Sequence, residues 1–256
     1  MNNPQSSPLK LHLGCGEKYL EGYWNIDFPQ GEHSVMNPKV DEYGDIRTLQ
    51  YAEGTVDEIR SHHLFEHFSR AEALKLLTRW RSWLKPDGVL VIETPDFTTS
   101  ANFFVHTLST RRKFQLARHM IGSQEAGWAL HKDYWDKQKF NFVLGKMGFK
   151  NIVVKEYHNG LARHAKDMPG MAGKVVRRIP ESIHRPLLNL AGNMLPENFY
   201  KKYGSHKMPN ILVSSRKDSA RAIDPLATAR DILSLNLAGK ENERLLNVWV
   251  EEYKRF

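Results

Sequence analysis

Two glycines set two residues apart, directly after a short apolar strand, constrain this chain more than any other feature. Leu11 to Gly16 reads LHLGCG, and a second short strand follows over Trp24 to Asp27. Because glycine has no β-carbon, such a turn lets the backbone pass close to a ligand. An acid at the tip of the next strand can accept hydrogen bonds from ribose hydroxyls. The pattern predicts strand, glycine turn, short helical segment and second strand around a nucleoside site.

The spacing around this turn argues against a dinucleotide cofactor. The third glycine of the dinucleotide fingerprint is missing, since Glu17 and Lys18 follow Gly16. Asp27 comes eleven positions after Gly16, whereas the fingerprint places its acid about 20 residues on. We therefore expect a nucleoside-containing cofactor other than NAD or FAD.

Two further motifs follow in order along the chain. One is Asp45-Ile46-Arg47, and the other runs from Ser61 to His67 and reads SHHLFEH. With them the chain resembles the class I S-adenosylmethionine-dependent methyltransferases, in particular the small bacterial type whose motifs read L-x-L-G-C-G, N-x-D, D-[IL]-R-x-L and S-x-H-x-L-E-H. Phe65 stands where leucine is more common, which exchanges one apolar residue for another. The resemblance extends to the fifth predicted strand and is weaker beyond it.

The resemblance implies an α/β fold with a Rossmann-like seven-stranded sheet, mostly parallel with an antiparallel last strand and with helical insertions. The apolar pattern of residues 225–256 adds a helical C-terminal tail. It implies S-adenosylmethionine as cofactor and assigns Gly14, Cys15 and Gly16 to backbone contacts with its amino-acid part. Asp27 would hold the ribose hydroxyls. The alternatives are a cap or turn role for Asp27 and, for Cys15, that of a small buried residue without reactivity.

The resemblance assigns the remaining cofactor contacts to two later segments. Asp45 would accept a hydrogen bond from the adenine amine, and Ile46 would cover the adenine ring. Ser61, His62 and His63 would face the methionine moiety and the transferable methyl group. As with Asp27, a turn-forming role for Asp45 is the alternative.

The run from His63 to His67 also spells H-x-x-E-H, the pattern of inverted zinc proteases. Zinc there would need both histidines on one helix face and a further carboxylate from a later helix. The pair instead follows a strand directly. We therefore expect no metal here, and we expect His67 to begin and orient the next helix.

Helical and strand patterns continue in the order that this fold requires. Ser69 is a suitable N-cap for a helix in which Leu76, Leu77 and Trp80 recur at helical spacing. The predicted elements are helices over Arg70 to Leu84 and Asp133 to Lys146, and strands over Val89 to Pro95, Asn151 to Tyr157 and Ile211 to Ser215.

The elements divide the chain into a methyltransferase domain over residues 1–216 and a helical tail over residues 217–256. Insertions at 97–130 and 158–207 are expected to form a cap over the cofactor. The tail either packs on the domain or pairs with a second subunit in a homo-oligomer, and the sequence favours neither.

The predicted cap carries the positive charge of the chain. Residues 1–96 hold ten basic and fifteen acidic side chains, whereas residues 97–216 hold twenty basic and seven acidic side chains. The densest clusters are Arg111-Arg112-Lys113 and Arg177-Arg178. A basic cap favours an anionic acceptor, such as a sugar phosphate or a nucleotide-linked sugar. Solvated basic faces are the alternative interpretation of these clusters.

Other partners are less favoured. Aromatic residues do not interleave with the basic ones as in a base-stacking surface, and the D/N-P-P-Y signature of DNA amino-methylating enzymes is absent, so nucleic acid is a minor alternative. The amphipathic segment 174–195 is expected to form a lid, with peripheral membrane contact and a lipid-linked acceptor as the alternative. One cysteine, no signal peptide and no apolar run long enough for a membrane span favour a cytoplasmic protein.

The expected reaction is O-methylation of a hydroxyl on a sugar, sugar phosphate or similar small metabolite, in surface-polysaccharide or natural-product biosynthesis. Such an enzyme aligns the acceptor with the methyl group and excludes water. A hydroxyl acceptor also needs a general base, for which histidine suits neutral pH. The candidates are His63 and His131. The alternative is a noncatalytic cofactor-fold subunit whose basic cap docks an anionic partner.

Overall fold

The computed structural model describes residues 8–32, 36–157, 208–239 and 242–255 of the 256-residue chain. Seven strands form one sheet. They are β1 Lys10–Leu13, β2 Trp24–Asp27, β3 Glu42–Tyr43, β4 Val56–His62, β5 Leu84–Pro95, β6 Phe149–Tyr157 and β7 Asn210–Lys217. The α-helices of the described part are α1 Arg70–Trp83, α2 Phe97–His106, α3 Thr110–Ile121, α4 Lys137–Lys146, α5 Pro225–Ser234 and α6 Glu243–Arg255.

The strand order in the sheet is β3-β2-β1-β4-β5-β7-β6. β7 runs antiparallel to both of its neighbours, and the other strand pairs are parallel. The predicted Rossmann-like sheet with an antiparallel last strand is thus confirmed. Because the strand order reverses between β1 and β4, the carboxyl ends of these strands border a crevice of the kind in which α/β sheets bind ligands.

One apolar core supports this edge of the sheet. Leu11, Leu13 and Ile59 are fully buried on the central strands, in one cluster with Leu77 and Trp80 of α1. Side chains alternate between the two faces of a strand. The residues that follow these strands are therefore held on a rigid support.

Helix α1 begins where the sequence predicts. The side chain of Ser69 accepts a hydrogen bond from the Glu72 N–H, and the Glu72 side chain accepts one from the Ser69 N–H. This capping box satisfies two backbone donors at the start of the helix. The helix ends at Trp83, and β5 starts directly at Leu84 by pairing with Val56, earlier than predicted.

The prediction of a short helix between β1 and β2 is wrong. Residues 17–23 form turns and loops. The buried Asn25 side chain holds them, because its Oδ1 accepts from the Leu20 N–H at 3.0 Å and its Nδ2 donates to the Leu20 and Tyr23 carbonyls at 3.1 Å and 2.9 Å. A side chain that bonds the local backbone in this way competes with helix formation.

The C-terminal tail packs on its own domain. Helices α5 and α6 contact α1 and each other. The Tyr253 hydroxyl lies 2.9 Å from Thr78 Oγ1, and the Arg70 guanidinium lies over the ring of Trp249. Pairing of the tail with a second subunit stays a prediction.

The two predicted insertions differ in what can be described. Residues 97–130 form α2, α3 and a 3-10 turn at Gly127–Ala129. Residues 158–207, which include the 174–195 segment and Arg177-Arg178, lie outside the described residues. Among the helices that are described, none combines the length and apolarity needed to cross a membrane.

Candidate active site

A cavity of about 580 Å³ opens at the carboxyl edge of the sheet. This volume lies in the range of small-molecule sites, about 300 to 1,000 Å³. Nine of the ten predicted site residues line it, and Ser61 does not. The nine are Gly14, Cys15, Gly16, Asp27, Asp45, Ile46, His62, His63 and His131.

The glycine turn after β1 has the conformation that only glycine adopts readily. Gly14 has a φ of 66° and Gly16 a φ of 52°. A β-carbon on Gly14 would lie 2.9 Å from the β-carbon of Leu64. The N–H groups of Gly14 and Cys15 both donate to the Ile26 carbonyl, at 2.9 Å and 3.2 Å. The turn is therefore tied to β2 and packed against the segment that follows β4.

Asp27, at the end of β2, is buried beside the turn, with 7% of its surface exposed. Its Oδ2 accepts from the Gly16 N–H at 2.6 Å, and its Oδ1 accepts from the Phe28 N–H at 2.7 Å. Two backbone donors, one on each oxygen, fix the orientation of the carboxyl group. Asp27 thus presents an oriented carboxylate to the cavity.

Cys15 has the structure of a packed residue. It is buried, and its Sγ–H donates to the Lys39 carbonyl at 3.3 Å. Burial and the nearby Asp27 raise the pKa of the thiol to about 12. This environment agrees with a backbone role, because the thiolate is the nucleophilic form of cysteine.

Asp45 reaches the cavity already paired with a residue that the sequence analysis did not include in the site. Arg47 Nε donates to both Asp45 oxygens at 2.9 Å and 3.0 Å, and its Nη2 donates to Oδ2 at 2.7 Å. Burial would raise the pKa of Asp45, but the hydrogen bonds and charge of Arg47 outweigh burial and lower it. Ile46 beside it is 5% exposed and supplies an apolar wall.

The structure does not bring Ser61 into the cavity. Its side chain is fully buried in β4, and its Oγ has no hydrogen-bond partner among the described residues. Since neighbouring residues of a strand point to opposite faces, His62 does reach the cavity. His62 Nδ1 lies 2.9 Å from His12 Nε2, and burial lowers the pKa of His62 to about 3.

His63 leaves β4 in a left-handed conformation, with a φ of 50°. Its Nδ1 lies 3.3 Å from Glu66 Oε1 and its Nε2 lies 3.6 Å from Glu93 Oε1. Partial desolvation beside the cavity would lower the pKa of His63, but the hydrogen bonds and charges of the two glutamates outweigh it and raise the pKa to about 10. His63 is therefore an imidazolium with a carboxylate at each nitrogen.

Glu66, His67 and His131 form a second polar cluster, in which one donor atom of each residue lies within 4.8 Å of the others. Glu66 is 2% exposed, and its Oε2 has no hydrogen-bond partner in the described structure. Burial lowers the pKa of His131. Burial would raise the pKa of Glu66, but a hydrogen bond and the charges of the surrounding histidines outweigh it and lower it. The H-x-x-E-H run was the sequence signal for Glu66 and His67, which were not assigned to the site.

The first insertion and the segment directly after it supply basic residues that were not predicted to belong to the site. Arg118 and His119 of α3, with Lys132, line the cavity. Arg118 is exposed and forms no ion pair within the described part of the chain. Lys132 Nζ lies 3.7 Å from Glu72 Oε2. His119 Nε2 donates to the Pro209 carbonyl at 2.7 Å, and burial lowers the pKa of His119 to about 4.

Residues 11–92 match a family model described as a methyltransferase domain. No curated protein sequence matches the chain significantly.

Similar solved structures include a SAM-dependent methyltransferase from Archaeoglobus fulgidus, with 18% identity, 83% of this chain and 87% of that chain covered, and a TM-score of 0.48. A second is an S-adenosylmethionine-dependent methyltransferase from Mesorhizobium loti, with 14% identity and a TM-score of 0.44. The match covers 82% of this chain and 91% of that chain. A third is a phosphoethanolamine N-methyltransferase from Haemonchus contortus, with 13% identity and a TM-score of 0.41. The match covers 84% of this chain and 51% of that chain.

Proposed function

We propose that this chain, whose residues 11–92 match a methyltransferase-domain family model, is an S-adenosylmethionine-dependent methyltransferase that methylates a hydroxyl group of a sugar, a sugar phosphate or a similar anionic small metabolite. The observation that carries the proposal is that one cavity contains both the glycine turn with Asp27 and a histidine-rich end with exposed cations. We place this reaction in the cytoplasmic assembly of surface polysaccharides or natural products.

The residues of the first half of the cavity fit S-adenosylmethionine, the cofactor that the proposed activity requires. The backbone at Gly14 and Gly16 can pass close to its amino-acid part, because neither residue carries a β-carbon. Asp27 offers an oriented acid to the ribose hydroxyls. Asp45 and Ile46 offer an acceptor and an apolar wall to adenine, and Arg47 keeps Asp45 ionised.

When bound, the cofactor supplies an activated methyl group: a bond forms between the acceptor oxygen and the methyl carbon, the carbon–sulfur bond breaks, and S-adenosylhomocysteine leaves. The chain has to orient the acceptor, exclude water and let the hydroxyl proton depart. His62, His63 and His131 border the end of the cavity where β4 stops. This end is where we place the acceptor.

The two histidines predicted as general bases differ in whether a ring nitrogen has a free lone pair. Both ring nitrogens of His63 face carboxylates, so both carry protons and neither offers a lone pair. His63 instead contributes a fixed positive charge beside the acceptor. His131 lies with its Nε2 3.9 Å from Glu66 Oε1, at the edge of the same space. Its lone pair can serve the acceptor in two ways, by taking the proton directly or by binding a cation that acidifies the hydroxyl.

The charges at the cavity mouth favour an anionic acceptor. Lys18, Arg118 and Lys132 line the cavity and are exposed. Cations around a cleft concentrate anionic ligands and steer them inward. The Arg111-Arg112-Lys113 cluster lies on α3 but does not line the cavity, so we assign it no contact with the acceptor.

The test has two stages with the purified full-length chain. Calorimetry with S-adenosylmethionine should show one binding site. Transfer of labelled methyl from the cofactor is then measured on sets of neutral sugars, sugar phosphates, nucleotide-linked sugars and lipid-linked sugars. We expect product with a phosphorylated or nucleotide-linked sugar and little with its neutral counterpart.

Three outcomes would contradict the proposal. Absence of cofactor binding would remove the methyltransferase assignment. Cofactor binding without transfer to any hydroxyl acceptor would favour a noncatalytic subunit. Transfer to neutral sugars at equal efficiency would contradict the preference for an anionic acceptor.

A further inference from the structure

The cluster of Glu66, His67 and His131 has the composition and arrangement of a metal site. We propose that these three residues bind a divalent transition-metal cation at the acceptor end of the cavity, where the cation binds the acceptor hydroxyl. The inference rests on the proposed function and replaces the sequence-based expectation that no metal is needed. It differs from the inverted zinc-protease pattern, since the second histidine ligand is His131 and not His63.

The cluster joins two residues of one turn, Glu66 and His67, to His131, which follows the first insertion. Glu66 and His67 lie in the 3-10 turn Phe65–His67, directly after β4. His131 follows the insertion, and its Nε2 is 3.9 Å from Glu66 Oε1. The rings of His67 and His131 have centroids 4.8 Å apart. The three side chains thus converge on one point, although His131 is distant in sequence from the turn that carries the other two.

The hydrogen bond of the His67 ring leaves one of its nitrogens for a metal. His67 Nδ1 lies 3.1 Å from the Leu130 carbonyl, which can only accept, so Nδ1 carries the proton and Nε2 the lone pair in the neutral ring. Metal-ligating histidines almost always donate their other ring N–H to a carbonyl or a carboxylate.

Glu66 supplies a second, independent indication. Its side chain is buried, and Oε2 has no hydrogen-bond partner in the part of the chain that the structure describes. Buried carboxylate oxygens are normally hydrogen-bonded or bound to a cation, because leaving one without a partner costs free energy. A cation between Glu66 and the two histidines, bound by both oxygens of the carboxylate, would give Oε2 a partner.

The donor set selects the class of metal. Two imidazole nitrogens and one carboxylate oxygen suit Zn²⁺, Fe²⁺ or Co²⁺ rather than Mg²⁺ or Ca²⁺, which prefer oxygen ligands. Bonds of about 2.0 to 2.2 Å place neighbouring donors roughly 3 Å apart. Binding should therefore draw the three donors closer together than the present 4.8 Å.

A cation at this position has a definite task in the proposed reaction. Three protein ligands leave coordination positions open for water or substrate. A hydroxyl bound there loses its proton to solvent more readily, because the metal lowers the pKa of a bound oxygen acid. His131 then acts as a ligand and not as the base.

The test is metal binding by the full-length protein after removal of bound metals with a chelator. We expect calorimetry with zinc chloride and with cobalt chloride to show one equivalent bound, and the cobalt form to show visible absorption of a nitrogen-ligated ion. The variants His131→Ala and Glu66→Gln should each lower the affinity at least about tenfold, the loss typical of even outer-shell changes. The matched control is His119→Gln, a histidine of the same cavity outside the cluster, which should retain the affinity.

Cofactor titration of the same samples separates this inference from the proposed function. Metal-free protein that binds S-adenosylmethionine but takes up neither zinc nor cobalt overturns the metal site and leaves the methyltransferase intact. Affinity unchanged in both ligand variants also overturns it. Where thermal melting shows that His131→Ala is unfolded, His67→Ala takes its place, since His67 lies in a separate segment.

Discussion

The backbone N–H of Gly16 donates to Asp27 Oδ2 at 2.6 Å and thereby joins the glycine turn after β1 to the acid that ends β2. The Phe28 N–H holds the other oxygen at 2.7 Å. The carboxylate is oriented before any ligand binds, so that binding does not have to order it. The two features that the sequence analysis singled out are thus one physical unit.

Replacement of this acid should weaken cofactor binding. Asp27→Asn keeps the shape of the side chain but removes the charge, and a hydrogen bond to a charged group contributes about 1.5 to 3 kcal/mol. We therefore expect the dissociation constant of S-adenosylmethionine to rise roughly 10-fold to 100-fold, measured by calorimetry. Asp231→Asn, which affects an exposed ion pair with Lys146, is the control and should change nothing. An unchanged affinity in Asp27→Asn would contradict the ribose role.

A β-carbon at the first glycine should be costly for two separable reasons. Gly14→Ala introduces strain at a positive φ and a contact with the β-carbon of Leu64. Gly22→Ala has a similar φ of 79° with no atom within 4 Å, so it reports the strain alone, which is about 1 to 2 kcal/mol. Denaturant unfolding should show a larger loss for Gly14→Ala, and only this variant should lose cofactor affinity. Equal losses would mean that the Leu64 contact is relieved by movement.

The thiol of Cys15 should be inert in the folded protein. Because its pKa is raised to about 12, almost no thiolate exists at pH 8, and iodoacetamide should label Cys15 only after unfolding. The raised pKa also sets a direction for stability. The contribution of the thiol is fully present below its ordinary pKa of 9.0 and is lost as the pH rises towards about 12. Rapid labelling of native protein at pH 8, followed by mass spectrometry, would refute this account.

Arg118 should determine the preference for charged acceptors. We expect Arg118→Ala to raise the KM for a phosphorylated acceptor about tenfold or more, the effect of removing one charged hydrogen bond, with little change for a neutral analogue. Arg111→Ala is the matched control, since Arg111 lies on the same helix but does not line the cavity. Equal effects of Arg118→Ala on both acceptors would show that the residue acts through structure and not through charge.

The tail should contribute to the stability of the domain through the contact between Tyr253 and Thr78. Thr78 Oγ1 donates to the Leu74 carbonyl, so the Tyr253 hydroxyl donates to Thr78. A double-mutant cycle with Tyr253→Phe and Thr78→Val should give a coupling free energy of about 0.5 to 1.5 kcal/mol in denaturant unfolding. Additive effects would mean that this contact does not hold the tail.

The cofactor half of the site could be predicted because its determinants are local. Gly14, Gly16 and Asp27 each stand at the end of a strand, and parallel strands bring their carboxyl ends to one edge whatever the remaining chain does. The helix predicted after Gly16 does not form, because the side chain of Asn25 bonds the backbone N–H and carbonyl of Leu20. Asn25 lies beyond the predicted helix in the sequence. Ser61 does not line the cavity because side chains alternate between the two faces of β4. A shift of one residue exchanges these faces, so His62 reaches the cavity and Ser61 does not.

The sequence by itself determined the sheet, the glycine turn with its acid and the residues that end β4, because apolar periodicity and turn chemistry act over a few neighbours. Only the tertiary structure decided that His131 meets Glu66 and His67, that Glu93 approaches His63, and that the tail lies on α1. These contacts join residues that are distant along the chain. Their partners depend on the paths of the insertion and the tail across the surface, which no local pattern encodes.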